Sequence, residues 1–194
     1  MKYLGKPAGM WALFAGSFEK HLTVEFDLTA GQAKDVAARA KKKYREIIAK
    51  LPEFDKRDRF EMNIVNCAML AAFILCMPQR PDIKTLTDYY AAAMMTPTMK
   101  AFCRASGKKK FTPKDIEGMK ATAKLRAGDR NPYSWNMDFF EYEDGSGYEA
   151  RFTTCGICTL MQALGLYDLT PALCHLDYTM SDRSEERRVG KECR

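Results

Sequence analysis

Arg151-Phe-Thr-Thr-Cys155-Gly-Ile-Cys158-Thr-Leu-Met-Gln-Ala-Leu-Gly165-Leu-Tyr-Asp-Leu-Thr170-Pro-Ala-Leu-Cys174-His175-Leu-Asp177-Tyr-Thr-Met180-Ser-Asp182 is the stretch around which the chain is organised. Alternation with period two runs into it and stops at Cys155. From there to Leu164 the apolar spacing fits a short helix, with Gly165 as its stop. Thr170-Pro171 opens a second short helix carrying Cys174, His175 and Asp177. Three of the seven cysteines and one of the two histidines meet in this stretch.

Working back, Tyr148 to Cys155 and Trp135 to Phe140 alternate on either side of the Asp-, Gly- and Ser-rich turn of residues 141–147. This predicts a β-hairpin over about 135–155. A lone hairpin is marginal, so more strands are expected in its sheet. Everything earlier reads as helical scaffold. Thr29 and Gln32 make a capping box ahead of the helical stripe Ala33, Val36, Ala37, Ala40, Tyr44, Ile47, Ile48 and Leu51, which Pro52 ends. A second helix, apolar on most sides, is predicted from about Asp58 to Met77 and belongs in the middle of the fold. If Asn63 and Asn66 are buried there, they need partners and most simply tie backbone together.

A third helix is predicted from Asp82 to about Met95, where Pro97 kinks or breaks it before Thr98 to Ala105 continue. Thr112-Pro113 with Asp115 starts another that runs to about Arg126. Residues 1–28 show no clear period. Trp11, Leu13, Phe14 and Phe18 suggest a packed arm or short helix, and His21 to Phe26 a short strand. A lone His21 reads as a surface or packing residue. The fold class expected is α+β: a helical first two thirds, a small antiparallel sheet and short cysteine-bearing helices.

The apolar fraction of 46% in 194 residues suits one globular domain with a sizeable core. The net charge of +6 is spread out, densest at Lys41–Lys43 and Lys108–Lys110. These runs read as solvated faces, and no aromatic-interleaved basic stripe points to nucleic acid. Phe60 to Met77 is interrupted by Glu61, Asn63 and Asn66, which favours a core helix over a membrane span. The apolar run Met10–Gly16 is short for a secretory signal and has no clean cleavage pattern, so a cytoplasmic location is expected.

Cys67, Cys76 and Cys103 lie in helical, mostly apolar sequence and read as buried thiols. Cys155 and Cys158 are three apart and would share one helix face. Cys174 follows after fifteen intervening residues. That spacing is only half of a zinc-ribbon pattern, because a second close pair is missing. His175 or Asp177 could be a further ligand, so a divalent metal is a possible cofactor. A thiol role or plain packing is the competing reading.

The run Phe152-x-x-Cys155, then Gly165, then Leu169-x-Pro171-x-x-Cys174-x-Leu176-Asp177-Tyr178-x-Met180 resembles the L-2-amino-thiazoline-4-carboxylic acid hydrolase family. The resemblance implies a hydrolase that opens a cyclic C–N bond in a thiazoline-type small molecule, toward carbamoyl-cysteine. That chemistry needs a nucleophile or activated water and a proton for the departing nitrogen. Cys155 and Cys174 are then the candidate catalytic thiols, as nucleophile or as ligands of a water-activating metal. Asp177 is the candidate base, or the group that orients one. His175 could shuttle a proton but ranks below Asp177. A more distant likeness to the small-ligand-binding domains named after four-vinyl reductases keeps a second reading open. In that reading the cysteine stretch binds a small ligand or metal without catalysis.

Beyond Met180 the family pattern continues with further strands and another cysteine. This chain instead ends Arg183-Ser-Glu-Glu-Arg-Arg-Val-Gly-Lys-Glu-Cys-Arg194, which resembles the in-frame translation of a sequencing adapter. On that reading residues 1–182 are the hydrolase-like domain, incomplete at its C-terminus, and 183–194 are not native. Without the tail the net charge falls from +6 to +4 and six cysteines remain. A chain truncated in this way is expected to be poorly stable and inactive.

Overall fold

The computed structural model describes residues 6–107, 111–128 and 130–184. The basic run at 108–110 and residues 185–194 lie outside them. Along the described chain the elements are α1 (Lys6–Glu25), α2 (Ala30–Lys50), α3 (Glu61–Ile74), α4 (Ile83–Met94), α5 (Pro97–Gly107), α6 (Pro113–Gly128), β1 (Met137–Glu141), β2 (Tyr148–Phe152), α7 (Gly156–Ala163), a 3-10 turn (Tyr167–Leu169) and α8 (Thr170–Ser184). The fold is α+β, with helices dominant and one antiparallel hairpin.

α3 is the central helix, as its all-round apolar sequence predicts. Eleven of its fourteen residues are buried, and α1, α2 and α7 pack on it. It is shorter than expected, because the segment from Asp58 to Phe60 forms a turn instead of helix. There the Asp58 carboxylate accepts the Phe60 N–H at 2.8 Å. Asn63 is exposed. The half-buried Asn66 departs from the backbone-tying role expected of it: its enclosed Oδ1 has no hydrogen-bond partner among the described residues.

The N-terminal segment is the clearest departure from expectation. His21 to Phe26 is not a strand, since α1 runs unbroken to Glu25. Met10, Phe14, Phe18 and Leu22 recur every four residues and are all buried, which is a helical stripe. Val24, which the strand reading placed beside Leu22, is 56% exposed. Phe18 sits against the rings of Phe73, Tyr89 and Tyr90, so α1 is stapled to both α3 and α4.

Local signals elsewhere hold. The Thr29 hydroxyl accepts the Gln32 N–H at 3.3 Å, and the Gln32 side chain accepts the Thr29 N–H at 2.9 Å. Asp82 caps α4 by accepting the Lys84 and Thr85 N–H groups. Pro97 breaks the chain rather than kinking it: α4 stops at Met94 and a separate α5 begins at Pro97, the first-turn position where proline costs nothing. Thr112 caps α6 through the Asp115 N–H at 3.3 Å.

The hairpin pairs Met137 with Phe152 and Glu141 with Tyr148. Among the described residues its sheet has two strands, fewer than a self-supporting sheet needs. Side-chain packing replaces the extra strands. Phe60 lies 5.1 Å from the Trp135 ring and 5.8 Å from Phe152, and Phe139 lies 5.1 Å from Tyr148.

A buried ion pair ties α6 and the loop ahead of this hairpin to the turn ahead of α3. The Arg126 and Asp58 side chains are both fully buried, with Nη1 3.7 Å from Oδ2. Arg126 also donates to the Trp135 carbonyl at 2.9 Å, the Asn131 carbonyl at 3.1 Å and the Asn136 side chain at 3.0 Å. The Ser134 hydroxyl donates to the same Asp58 oxygen at 2.6 Å. Removing one member of such a pair leaves the other charge buried and uncompensated. Arg126→Met is therefore expected to cost about 3–5 kcal/mol in chemical denaturation. Lys84→Ala, which breaks only the exposed pair with Asp88, should stay within about 0.5 kcal/mol.

Candidate active site

The site is built outward from Asn136. Its carbonyl accepts the Thr153 N–H at 2.8 Å, and its own N–H donates to the Thr154 hydroxyl at 2.8 Å. Its side chain is held by Arg126. The end of β2 is thereby pinned, and the next residue, Cys155, becomes the N-cap of α7. Cys155 thus precedes the helix, whereas Cys158 lies within it, which corrects the expectation that both would sit along one helical face.

Gly156 explains how the helix comes so close. A Cβ there would lie 2.2 Å from the Tyr133 carbonyl oxygen and 3.0 Å from Ile64 Cδ1. Only glycine allows the first turn of α7 to press against this loop and against α3. At the other end Gly165 takes φ +69. The Leu166 N–H reaches the Met161 carbonyl at 2.8 Å and the Gly165 N–H reaches Gln162 at 3.1 Å. This pairing is a Schellman stop. Arg80 then holds the turn by donating to the Gly165 carbonyl and to Asp168.

The chain re-enters the core as α8, longer than the short helix expected, at fifteen residues. Thr170 opens it, but its enclosed hydroxyl makes no hydrogen bond among the described residues. Cys174 is half-buried on α8, and Asp177, also half-buried, lies one turn on along the same helix face. His175 is exposed, with its ring centroid 6.0 Å from that of Tyr178.

Cys67 of α3 completes the arrangement. Burial pushes its thiol well above its ordinary value, and the nearby Cys155, Cys158 and Cys174 sulfurs raise it further. Tyr90 of α4 borders the same thiol: burial raises its phenol, and Cys67 adds to the shift. Helices α3, α7 and α8 therefore bring four cysteines into one neighbourhood. No disulfide links any of the six described cysteines. Among the described residues no group of three or more His, Cys, Asp or Glu side chains is arranged to hold a metal ion. The zinc-like spacing of Cys155, Cys158 and Cys174 thus produces proximity without a coordinating set in the described structure.

A family model described as L-2-amino-thiazoline-4-carboxylic acid hydrolase matches residues 62–188. The chain belongs to the L-2-amino-thiazoline-4-carboxylic acid hydrolase family. No curated protein and no solved structure gives a significant match. Family membership supports a hydrolase role in general. In this hydrolase-family chain all four clustered cysteines and Asp177 fall inside the matched span, while His21 and the rest of α1 precede it. Among the described residues no helix is long and apolar enough to cross a membrane.

Sequence reasoning placed Cys155 and Cys174 in one stretch but read Cys67 as an ordinary buried thiol. Nothing local separates Cys67 from Cys76, which is also buried. Only the packing of α7 on α3, and of α8 beside α7 and α4, does. Gly156 did leave a signal, as a glycine directly after Cys155, where the strand-like alternation of the sequence ends.

Two outcomes follow from this geometry. Native-state alkylation read by peptide mass mapping should modify Cys155 and Cys174 and spare Cys67 until the protein is denatured, because a buried protonated thiol is inert. Gly156→Ala should cost about 1–3 kcal/mol in thermal or urea unfolding, as overpacking against backbone does.

Proposed function

We propose that this chain opens the ring of a 2-amino-thiazoline-4-carboxylate-type substrate. A cyclic C–N bond breaks, giving a carbamoyl-cysteine, with Cys155, Cys174 and Asp177 at the reacting centre. The observation that carries the reading is the meeting of Cys155 and Cys174 beside Cys67 in a chain of this family. Burial raises the Cys67 thiol well above its ordinary value, so it shapes the site and does not attack.

Cys155 is the nucleophile in this scheme. It sits at the N-terminus of α7, which has no side-chain cap. The N–H groups of Gly156 and Ile157 in that first turn have no intrahelical acceptor. Such donors favour negative charge beside the sulfur, on an incoming carboxylate or on a tetrahedral adduct. The thiolate adds to the ring carbon bonded to both nitrogen and sulfur. The adduct collapses with loss of the ring nitrogen, which takes a proton from Cys174 and leaves as an amine. Asp177, one turn along α8, orients Cys174 and passes back to it a proton from the water of the next step. Water then adds to the same carbon and displaces the Cys155 thiolate. The sum is substrate plus one water, and the enzyme is regenerated.

The experiment is ring opening by the full chain, followed by mass-detected carbamoyl product. Cys155→Ser and Cys174→Ser are each expected to lower kcat/KM by about 10³-fold or more, and Asp177→Asn by about 10²-fold. Cys76→Ser, remote from the cluster, should leave the rate unchanged. Wild-type rates in folded Cys155→Ser and Cys174→Ser would sink the thiol mechanism. Stoichiometric ligand or metal bound through these cysteines without turnover would favour a binding module.

A further inference from the structure

A second site lies on the other side of α8. Cys174 and Thr179 are five residues apart on that helix, which sets them roughly 140° apart around its axis and about 7 Å along it. While Cys174 belongs to the thiol group, Thr179 lines a cleft of about 490 Å³ between α1, α4, α5 and α8. His21, Asp88, Ala92, Met95 and Lys100 line it as well. That volume is in the range of small-ligand pockets.

The charges in this cleft are unusual in one respect. Lys100 is half-buried and makes no ion pair among the described residues, although Asp88 lines the same cleft. Asp88 pairs outward instead, with Lys84 at 2.9 Å. Both side chains of that pair are more than half exposed, so the pair holds Asp88 only weakly. His21 adds a ring whose enclosed Nδ1 has no hydrogen-bond partner among the described residues and stands 3.6 Å from the Glu25 carboxylate. One cleft therefore displays a cation and an anion that do not neutralise each other. A hydroxyl from Thr179 and an apolar patch from Ala92 and Met95 lie beside them.

From this arrangement we infer that the cleft binds a zwitterionic amino acid with an apolar side chain. Lys100 and Thr179 take the carboxylate, Asp88 takes the ammonium, and Ala92 and Met95 receive the side chain. His21 closes the α1 side. The site is separate from the thiol cluster and does not depend on ring opening.

The test is isothermal titration of the full chain with L-leucine, chosen because it cannot react with thiols. L-Leucine should bind with a Kd below about 1 mM. L-Leucinamide, which lacks the carboxylate, and N-acetyl-L-leucine, which lacks the ammonium, should each bind at least about tenfold more weakly. Lys100→Gln and Asp88→Asn should each weaken L-leucine by about tenfold or more, matching one lost charged contact. Cys155→Ser should bind it as wild type does. The inference is overturned if L-leucine gives no saturable heat up to about 10 mM, or if Lys100→Gln and Asp88→Asn bind it unchanged. It is equally overturned if Cys155→Ser abolishes binding. Absence of thiazoline hydrolysis leaves all these readouts intact, so the two proposals fail separately.

Discussion

The Asp58–Arg126 pair is the constraint on which the rest of the arrangement depends. A guanidinium with no exposure can be tolerated only where its donors find acceptors. Here they find the carbonyls of Asn131 and Trp135, the Asn136 side chain and the Asp58 carboxylate. The loop between α6 and β1 is thereby folded around one side chain. Asp58 in turn organises the entry to α3 through the Phe60 N–H. The Phe60 ring then covers Trp135 and Phe152. A polar network and an aromatic cluster thus hold from two sides a hairpin that could not stand alone.

That support is transmitted to the chemistry by a short covalent and hydrogen-bonded path. Asn136 links Arg126 to Thr153 and Thr154, and the next residue is Cys155. Gly156 then lets α7 touch the Tyr133 backbone and Ile64. A thiol at a helix N-terminus is useful only if both helix and strand end are rigid, because a small displacement loses the near-attack geometry. The network around the buried Arg126 and Asp58 supplies that rigidity. Cys67 and Tyr90 close the site from beneath, and burial keeps both uncharged.

α8 serves two environments at once. One face carries Cys174 toward α3 and α7. Thr179, on another, meets α1, α4 and α5. The Cys174 face is bordered by a buried thiol and a buried phenol. The Thr179 face is lined by Lys100 and Asp88, which do not pair with each other, and this suits a ligand bearing both signs. The two regions differ in the chemistry they can recognise, even though one helix supplies both.

Much of the secondary structure was legible in the residues themselves. The capping box at Thr29 and Gln32, the caps at Asp82 and Thr112, the break at Pro97, the stop at Gly165 and the hairpin alternation each act within a few residues, where local sterics and hydrogen bonds decide the backbone. Family membership was legible too, because the Cys155-to-Met180 pattern is a local string. The N-terminal helix was misread over His21 to Phe26, since a few alternating residues cannot outweigh a stripe that becomes visible only when Leu22 is seen to be buried with Phe18. Cys67, the Arg126 network and the cleft at Lys100 left no local trace. Each depends on residues far apart in sequence meeting by helix packing: Asp58 with Arg126, Cys67 with Cys155 and Cys174, His21 with Thr179. Local chemistry settled where helices and strands begin and end. Which charges are buried together, and which thiols are neighbours, was decided by how the helices pack, α7 on α3 and α8 on α4 and α5, because burial and proximity are properties of the assembled core.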